Sequence, residues 1–314
     1  MNSKTILAAA AAILALCGTP ATASDAQDLV LTGDKVCTKC HDESDNPQQL
    51  AVGKTKHGTV ADKKTPTCQS CHGESRPHID NPGGKRPRPP VDVLFKQAPG
   101  SGTPASAPSE RNDKCISCHQ GGKRMNWASG AHATSEVACN SCHKVHAQND
   151  TVRDKTSQAD VCYTCHKEQR SQGKRPHRHP VPEGKVTCSS CHNPHGDNPK
   201  MLVQPSVNET CYLCHTEKRG PFVHNHQPVV EDCSICHSVH GSAIAGMLKA
   251  RPPVLCQDCH SHTSHPSQAI ALPSGRTTSS SLLGSSARGC LNCHTNIHGG
   301  NSTQNSATAG RFRR

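Results

Sequence analysis

Apolar positions are concentrated at the start of the chain and sparse after it. Lys4 precedes an apolar run from Ile6 to Leu16, and Ala21-Thr22-Ala23 follows. A charged, an apolar and a small-residue region in that order predict a secretory signal peptide over residues 1–23, cleaved after Ala23. The run is too short to remain in a bilayer as a permanent helix, and no later segment is apolar enough to try. Leu14-Ala15-Leu16-Cys17-Gly18 is similar to a lipoprotein box, but Leu16 stands where that box needs a small residue, which argues against acylation of Cys17. Beyond residue 23, Pro, Gly, Ser, Thr, Asn and Lys dominate, and helix is predicted only in short pieces around the cysteine motifs.

Composition sharpens the problem. The 314 residues include only six aromatics, Phe95, Trp127, Tyr163, Tyr212, Phe222 and Phe312, so protein side chains cannot fill a core of ordinary size. Such a chain is disordered unless something else supplies the apolar mass. A porphyrin, large, flat and apolar, is the candidate.

The 21 cysteines say why. C-x-x-C-H occurs at Cys37, Cys40 and His41, at Cys68, Cys71 and His72, at Cys115, Cys118 and His119, at Cys139, Cys142 and His143, and at Cys162, Cys165 and His166. It recurs at Cys188, Cys191 and His192, at Cys211, Cys214 and His215, at Cys233, Cys236 and His237, at Cys256, Cys259 and His260, and at Cys290, Cys293 and His294. Only Cys17 is left over, so no thiol of the mature chain remains for a disulfide. Two cysteines at this spacing add to the vinyl groups on one haem edge, and the adjacent histidine becomes the proximal iron ligand. Zinc or thioredoxin-like sites would use the cysteine pairs without a histidine after every one. Ten covalently bound haem c groups are therefore expected, with export to an oxidising compartment.

Alternate motifs repeat evenly: Cys68, Cys115, Cys162, Cys211 and Cys256 lie 47, 47, 49 and 45 residues apart. The expected fold is a multihaem cytochrome c of mostly irregular coil with short α-helices, elongated and haem-packed, built from two-haem units of about 47 residues.

Thirteen histidines lie outside the motifs. His78, His146, His195, His240 and His298 trail the even-numbered motifs, and His57, His132, His179, His226 and His265 lead them. One distal ligand per haem follows. A histidine three residues beyond its motif reaches only about 10 Å, too little to round its own porphyrin. The trailing set is accordingly expected at haems one, three, five, seven and nine, and the leading set at its own even-numbered haems. His177, His224 and His262, the other members of three close doublets, are expected to be solvated or to contact propionates. Met125, Met201 and Met247 read as packing residues. Two histidines per iron leave no open position for a substrate.

Residues 79–113 form a Pro-rich insert read as a surface loop, 266–288 a Ser-rich linker, and 299–314 a basic tail. The formal charge of +11 suggests nucleic acid at first sight. Propionates and a net-positive iron core contribute about −1 per oxidised haem, which brings the holoprotein near zero and excludes nucleic acid as the partner.

With ten motifs, C-x-x-C-H-x-x-H at His146, His195 and His240, and the closing Cys290-Leu291-Asn292-Cys293-His294-Thr295-Asn296-Ile297-His298-Gly299, the chain resembles the MtrA family of periplasmic decahaem cytochromes, with MtoA, PioA and DmsE as relatives. The resemblance implies two pentahaem halves, here 24–170 and 171–298, and bis-histidine irons. It also implies an outer-membrane β-barrel partner, with periplasmic or inner-membrane electron carriers and an outer-surface multihaem cytochrome beyond it. In that family the outer donor or acceptor varies: ferric oxides, dimethyl sulfoxide or ferrous iron. A soluble periplasmic shuttle is the closer alternative to a conduit. A multihaem reductase is disfavoured because every motif ends in His and at least ten distal histidines are available.

Overall fold

The computed structural model describes residues 34–44, 47–58, 64–81, 88–98, 101–260, 290–292 and 294–301. The expected signal peptide, Cys293, His262, His265 and nearly all of the basic tail lie outside them. The chain forms two compact units, Met1–Ser106 with Lys144–Asn149, and Ala107–His143 with Asp150–Arg314. The boundary expected at residue 170 falls within the second.

Helices among the described residues are short, the longest being Pro108–Ile116 with nine residues, and strand pairing is confined to isolated bridges. None is long and apolar enough to cross a membrane. The multihaem fold of short helices and coil is therefore what the sequence leads one to expect. Buried apolar side chains among the described residues are Val93, Ala138 and Leu202, too few to hold a chain of this length together.

Each motif is one helical turn. The N–H of His41, His119, His143, His166, His192, His215, His237, His260 and His294 bonds the carbonyl of its motif's first cysteine at 2.9–3.1 Å. That geometry sets both sulfurs on one side, with the histidine just beyond. Odd-numbered motifs end a helix: Lys35–Thr38, Pro108–Ile116, Gln158–Tyr163, Val207–Tyr212 and Val254–Gln257. Even-numbered motifs start one, at Cys68–His72, Cys139–Cys142, Cys188–Cys191, Cys233–Ile235 and Cys290–Asn292. Thr67 and Thr187 cap two of these through reciprocal bonds with Ser70 and Ser190, and Asp232 caps a third.

The described part of the insert is not a solvated spacer. Val93 pairs with His72 in both directions, its N–H on the His72 carbonyl and its carbonyl taking the His72 Nδ1–H, each at 3.1 Å. Pro89 accepts from His78 Nδ1 at 2.8 Å, and Phe95 packs edge-on against His72 at 5.2 Å. Backbone polar groups shielded by the second motif need partners, and this segment supplies them, which its Pro-rich composition concealed.

Candidate haem-binding site

Odd and even motifs meet through their first cysteines: Cys37 with Cys68, Cys115 with Cys139, Cys162 with Cys188, Cys211 with Cys233, and Cys256 with Cys290. The contact has an electrostatic consequence. Before haem is attached, the Cys162 thiol holds the Cys188 thiol down against burial, and Cys211 does the same to Cys233.

A buried polar residue three positions before the first, third and seventh motifs joins those pairs. Asp34 accepts the Cys68 N–H with both carboxylate oxygens at 3.1 Å. Asn112 accepts the Cys139 N–H at 2.7 Å and donates to the Val137 carbonyl. Asn208 accepts the Cys233 N–H at 2.8 Å and donates to the Val229 and Val230 carbonyls. Gln158, one residue earlier in its repeat, takes the Ser189 N–H instead. Sequence reasoning passed over these residues. The only sequence signal is an Asp or Asn three residues before Cys37, Cys115 and Cys211.

Among the described residues, eight motif histidines face a histidine from outside the motifs. The pairs are His41 with His78, His72 with His146, His143 with His195, His166 with His132, His192 with His240, His215 with His179, His237 with His298, and His260 with His226. Their ring centroids are 6.0–6.4 Å apart. Parallel rings in van der Waals contact would close to about 3.5–4.0 Å. Two metal–nitrogen bonds of about 2 Å plus the half-widths of two imidazoles fill the observed gap. Interplanar angles run from 8° to 72°, a rotation about the ligand axis that leaves the separation unchanged.

Most of these pairs differ from those expected. His146, His195, His240 and His298, expected at the third, fifth, seventh and ninth motifs, face the second, fourth, sixth and eighth. His132, His179 and His226, expected at their own motifs, face the fifth, seventh and ninth. Short reach shows only where a trailing histidine cannot go; backbone pairing decides where it does. His177 bridges Ser242, and His224 bridges Gly300, so each leading segment lies beside the trailing segment of the next even motif. Both doublet partners thus work through their main chain. Gly241, at φ +140°, and Gly299, at φ +143°, allow the approach, since a Cβ there would run into the Gln172 carbonyl and the Phe222 ring.

Some of the facing rings have defined tautomers. His132 Nδ1–H donates to the Pro194 carbonyl at 3.0 Å and His179 to Val239 at 3.2 Å, in each case the residue before the neighbouring trailing histidine. The Ile297 carbonyl, just before His298, lies beside the His226 ring. Proximal His192 and His237 donate to the Lys200 and Gly246 carbonyls at 3.1 and 2.8 Å. Each such bond leaves Nε2 free toward the gap. Burial, and after it the facing imidazole, lowers the pKa of His41, His195, His226 and His240, in His195 to about 4. Neutral imidazole is the form that ligates a metal.

A continuous cavity of about 3770 Å³ runs through the second unit, lined by residues of its fourth to tenth motifs. A pocket for one drug-sized ligand takes about 300–1,000 Å³. Among the described residues no three His, Cys, Asp or Glu side chains converge as a zinc site would require. The residues present fit haem: two sulfurs for one edge, two opposed imidazoles for the iron, and apolar space between.

Comparison with known proteins agrees with this chemistry. The doubled CXXCH motif model matches residues 179–220 and 226–265, and the NrfB-like cytochrome c-type model matches residues 68–157. The multiheme cytochrome MtrA of Shewanella baltica is 37% identical over 278 residues, covering 86% of this chain and 79% of that protein. The cytochrome c-type protein NrfB of Escherichia coli O6:H1 is 32% identical over 146 residues, covering 44% of this chain and 68% of that protein.

Proposed function

Since the chain belongs to the MtrA family of multihaem c-type electron-transfer cytochromes, we propose that it holds ten haems and carries electrons along them between periplasm and cell exterior. The observation that supports this reading is the set of facing histidines at 6.0–6.4 Å, which recurs among the described residues at eight of the first nine motifs. Bound haem supplies a one-electron Fe(III)/Fe(II) couple. The chain's part would be to attach each haem through its two cysteines and to hold its iron with a pair of imidazoles, so that electrons pass and substrates do not bind.

On this reading His78 serves the first haem, and His146, His195, His240 and His298 serve the second, fourth, sixth and eighth. His132, His179 and His226 serve the fifth, seventh and ninth. His265, which leads the tenth motif, is left for the tenth haem. One even-numbered segment then holds three haems at once: His179, His192 and His195 belong to the seventh, sixth and fourth. Ligand bonds thereby replace the missing apolar core as the source of long-range order.

The partners on this reading are an outer-membrane β-barrel that houses the chain, periplasmic or inner-membrane carriers, and an outer-surface multihaem cytochrome. Purification from membranes tests it. Recovery with a barrel protein, and electron transfer across proteoliposomes only when both are present, is the expected result. Full activity as a free periplasmic protein would instead identify a soluble shuttle.

A further inference from the structure

The proximal histidines of the second, fourth, sixth and eighth motifs all use Nδ1–H as a donor, but not to the same kind of acceptor. His72, His192 and His237 donate to the main-chain carbonyls of Val93, Lys200 and Gly246, at 3.1, 3.1 and 2.8 Å. His143 donates to a carboxylate, Asp150 Oδ2, at 2.6 Å. Neither group is fully in solvent: the side chain of His143 is 35% exposed and that of Asp150 18%. Asp150 is also held in place, because its carbonyl accepts the Arg153 N–H at 2.9 Å at the start of the short turn Thr151–Arg153. The nearest comparison among odd-numbered motifs is His215 with Glu217, at 3.6 Å and with both side chains more than half exposed, too long for a hydrogen bond.

We infer that Asp150 is a positioning residue that makes the fourth haem the hardest to reduce of the second, fourth, sixth and eighth. The inference rests on His143 and His195 being that haem's ligands. A carboxylate hydrogen-bonded to the outer nitrogen of a ligating imidazole fixes its orientation and makes it a stronger electron donor to the metal. Second-shell hydrogen bonding is one of the levers that set haem potentials. Uptake of one electron, from a neighbouring haem or a one-electron mediator, takes the iron from Fe(III) to Fe(II) and removes one positive charge. A negative charge on the proximal side, shielded from water, favours the oxidised form. Asp150 thus makes electron transfer onto the fourth haem more uphill than a main-chain carbonyl at the same position would.

Mediated spectroelectrochemical titration of the haem-loaded full chain tests this with Asp150→Asn, Asp150→Glu and Glu217→Gln. In Asp150→Asn one haem should become easier to reduce by about tenfold in its oxidised-to-reduced ratio at fixed potential, about 59 mV for a one-electron couple. One low-spin ferric component of the electron paramagnetic resonance spectrum should move with it. Asp150→Glu should restore most of the shift, and Glu217→Gln should shift its haem less than Asp150→Asn does. An Asp150→Asn protein with all haems low-spin and no midpoint moved overturns the inference and leaves the ligand assignment standing. If His195→Ala creates no carbon monoxide site, the ligand assignment fails instead. Loss of haem from Asp150→Asn, with Asp150→Glu showing wild-type loading but unchanged midpoints, also counts against it, because the role would then be structural only.

Discussion

The sixth and eighth motifs and their trailing segments are near copies, and the fourth departs from them. In the copies the chain after the motif turns back so that His192 pairs with Leu202 and His237 with Leu248. Asn193 and Ser238 then donate to the carbonyls of Met201 and Met247, each at 2.7 Å. The carbonyl facing the proximal histidine comes from Lys200 in one and Gly246 in the other, and both residues have positive φ, +56° and +67°. After the fourth motif the chain instead reaches Asp150, and a side chain answers the histidine. A main-chain acceptor holds the ring and does not depend on residue type. A side-chain acceptor holds it and also adds charge, so the same contact becomes tunable by substitution.

The largest expected effect erases the comparison. A chain prevented from attaching haem keeps only Val93, Ala138 and Leu202 as buried apolar side chains among the described residues, so both kinds of segment should lose their structure. Limited proteolysis should cut it rapidly throughout, and circular dichroism should show no cooperative thermal unfolding.

Next come the facing histidines. His195→Ala should open one site beside His143, and His240→Ala one beside His192. Each should yield one high-spin haem and one equivalent of bound carbon monoxide by optical titration, the other haems staying low-spin. If the expectation drawn from sequence reach were correct after all, the opened sites would be the fifth and seventh. Protecting the fourth and sixth haems from change in these variants would break the assignment.

A smaller effect separates the two regions by their buried amides. Asn208→Ala strips partners from the Cys233 N–H and the Val229 and Val230 carbonyls, and Asn112→Ala from the Cys139 N–H and the Val137 carbonyl. Leaving a buried group unpaired costs about 1–3 kcal/mol. Both variants should unfold at lower temperature by haem-absorbance melting, Asn208→Ala by more. An unchanged melting temperature in either would show that the cysteine contact alone holds the motif pair.

The smallest concerns Lys200→Gly, which converts the sixth segment to the form of the eighth. The acceptor of His192 is main chain and survives. The lost Lys200–Asp232 ion pair, 3.7 Å long with a 63% exposed lysine side chain, contributes about 1 kcal/mol at most. Glycine at positive φ gives back about 1 kcal/mol. Stability should change by less than about 1 kcal/mol in chemical denaturation.

Much of the chemistry is legible along the chain. C-x-x-C-H is a local motif: one helical turn carries both sulfurs and the histidine, so its geometry is contained in five consecutive residues. The scarcity of aromatics shows that something other than side chains must fill the interior, and the fold of short helices and coil follows. Histidines outside the motifs are visible as a regular series, but their partners are not. His146 and His195 each stand three residues after a motif histidine, yet the first faces a motif 71 positions before its own and the second one 49 positions before, counted between first cysteines. No local pattern encodes such distances. They depend on main-chain bridges such as His177 with Ser242, which any residue with an N–H and a carbonyl could make.

The insert shows the same division. Its Pro-rich sequence reads as spacer because composition reports what a segment can do alone, whereas Val93 and Pro89 act through carbonyls aimed at His72 and His78. Asp150 lies between the extremes. Its charge is plain in the sequence; its place 2.6 Å from His143 is not. The sequence by itself determined which groups can hold haem, because covalent attachment needs only near neighbours. Tertiary structure decided which histidines face each other and which carbonyl or carboxylate stands behind them, because those contacts join residues far apart in the chain through a backbone whose hydrogen-bonding groups are alike at almost every position.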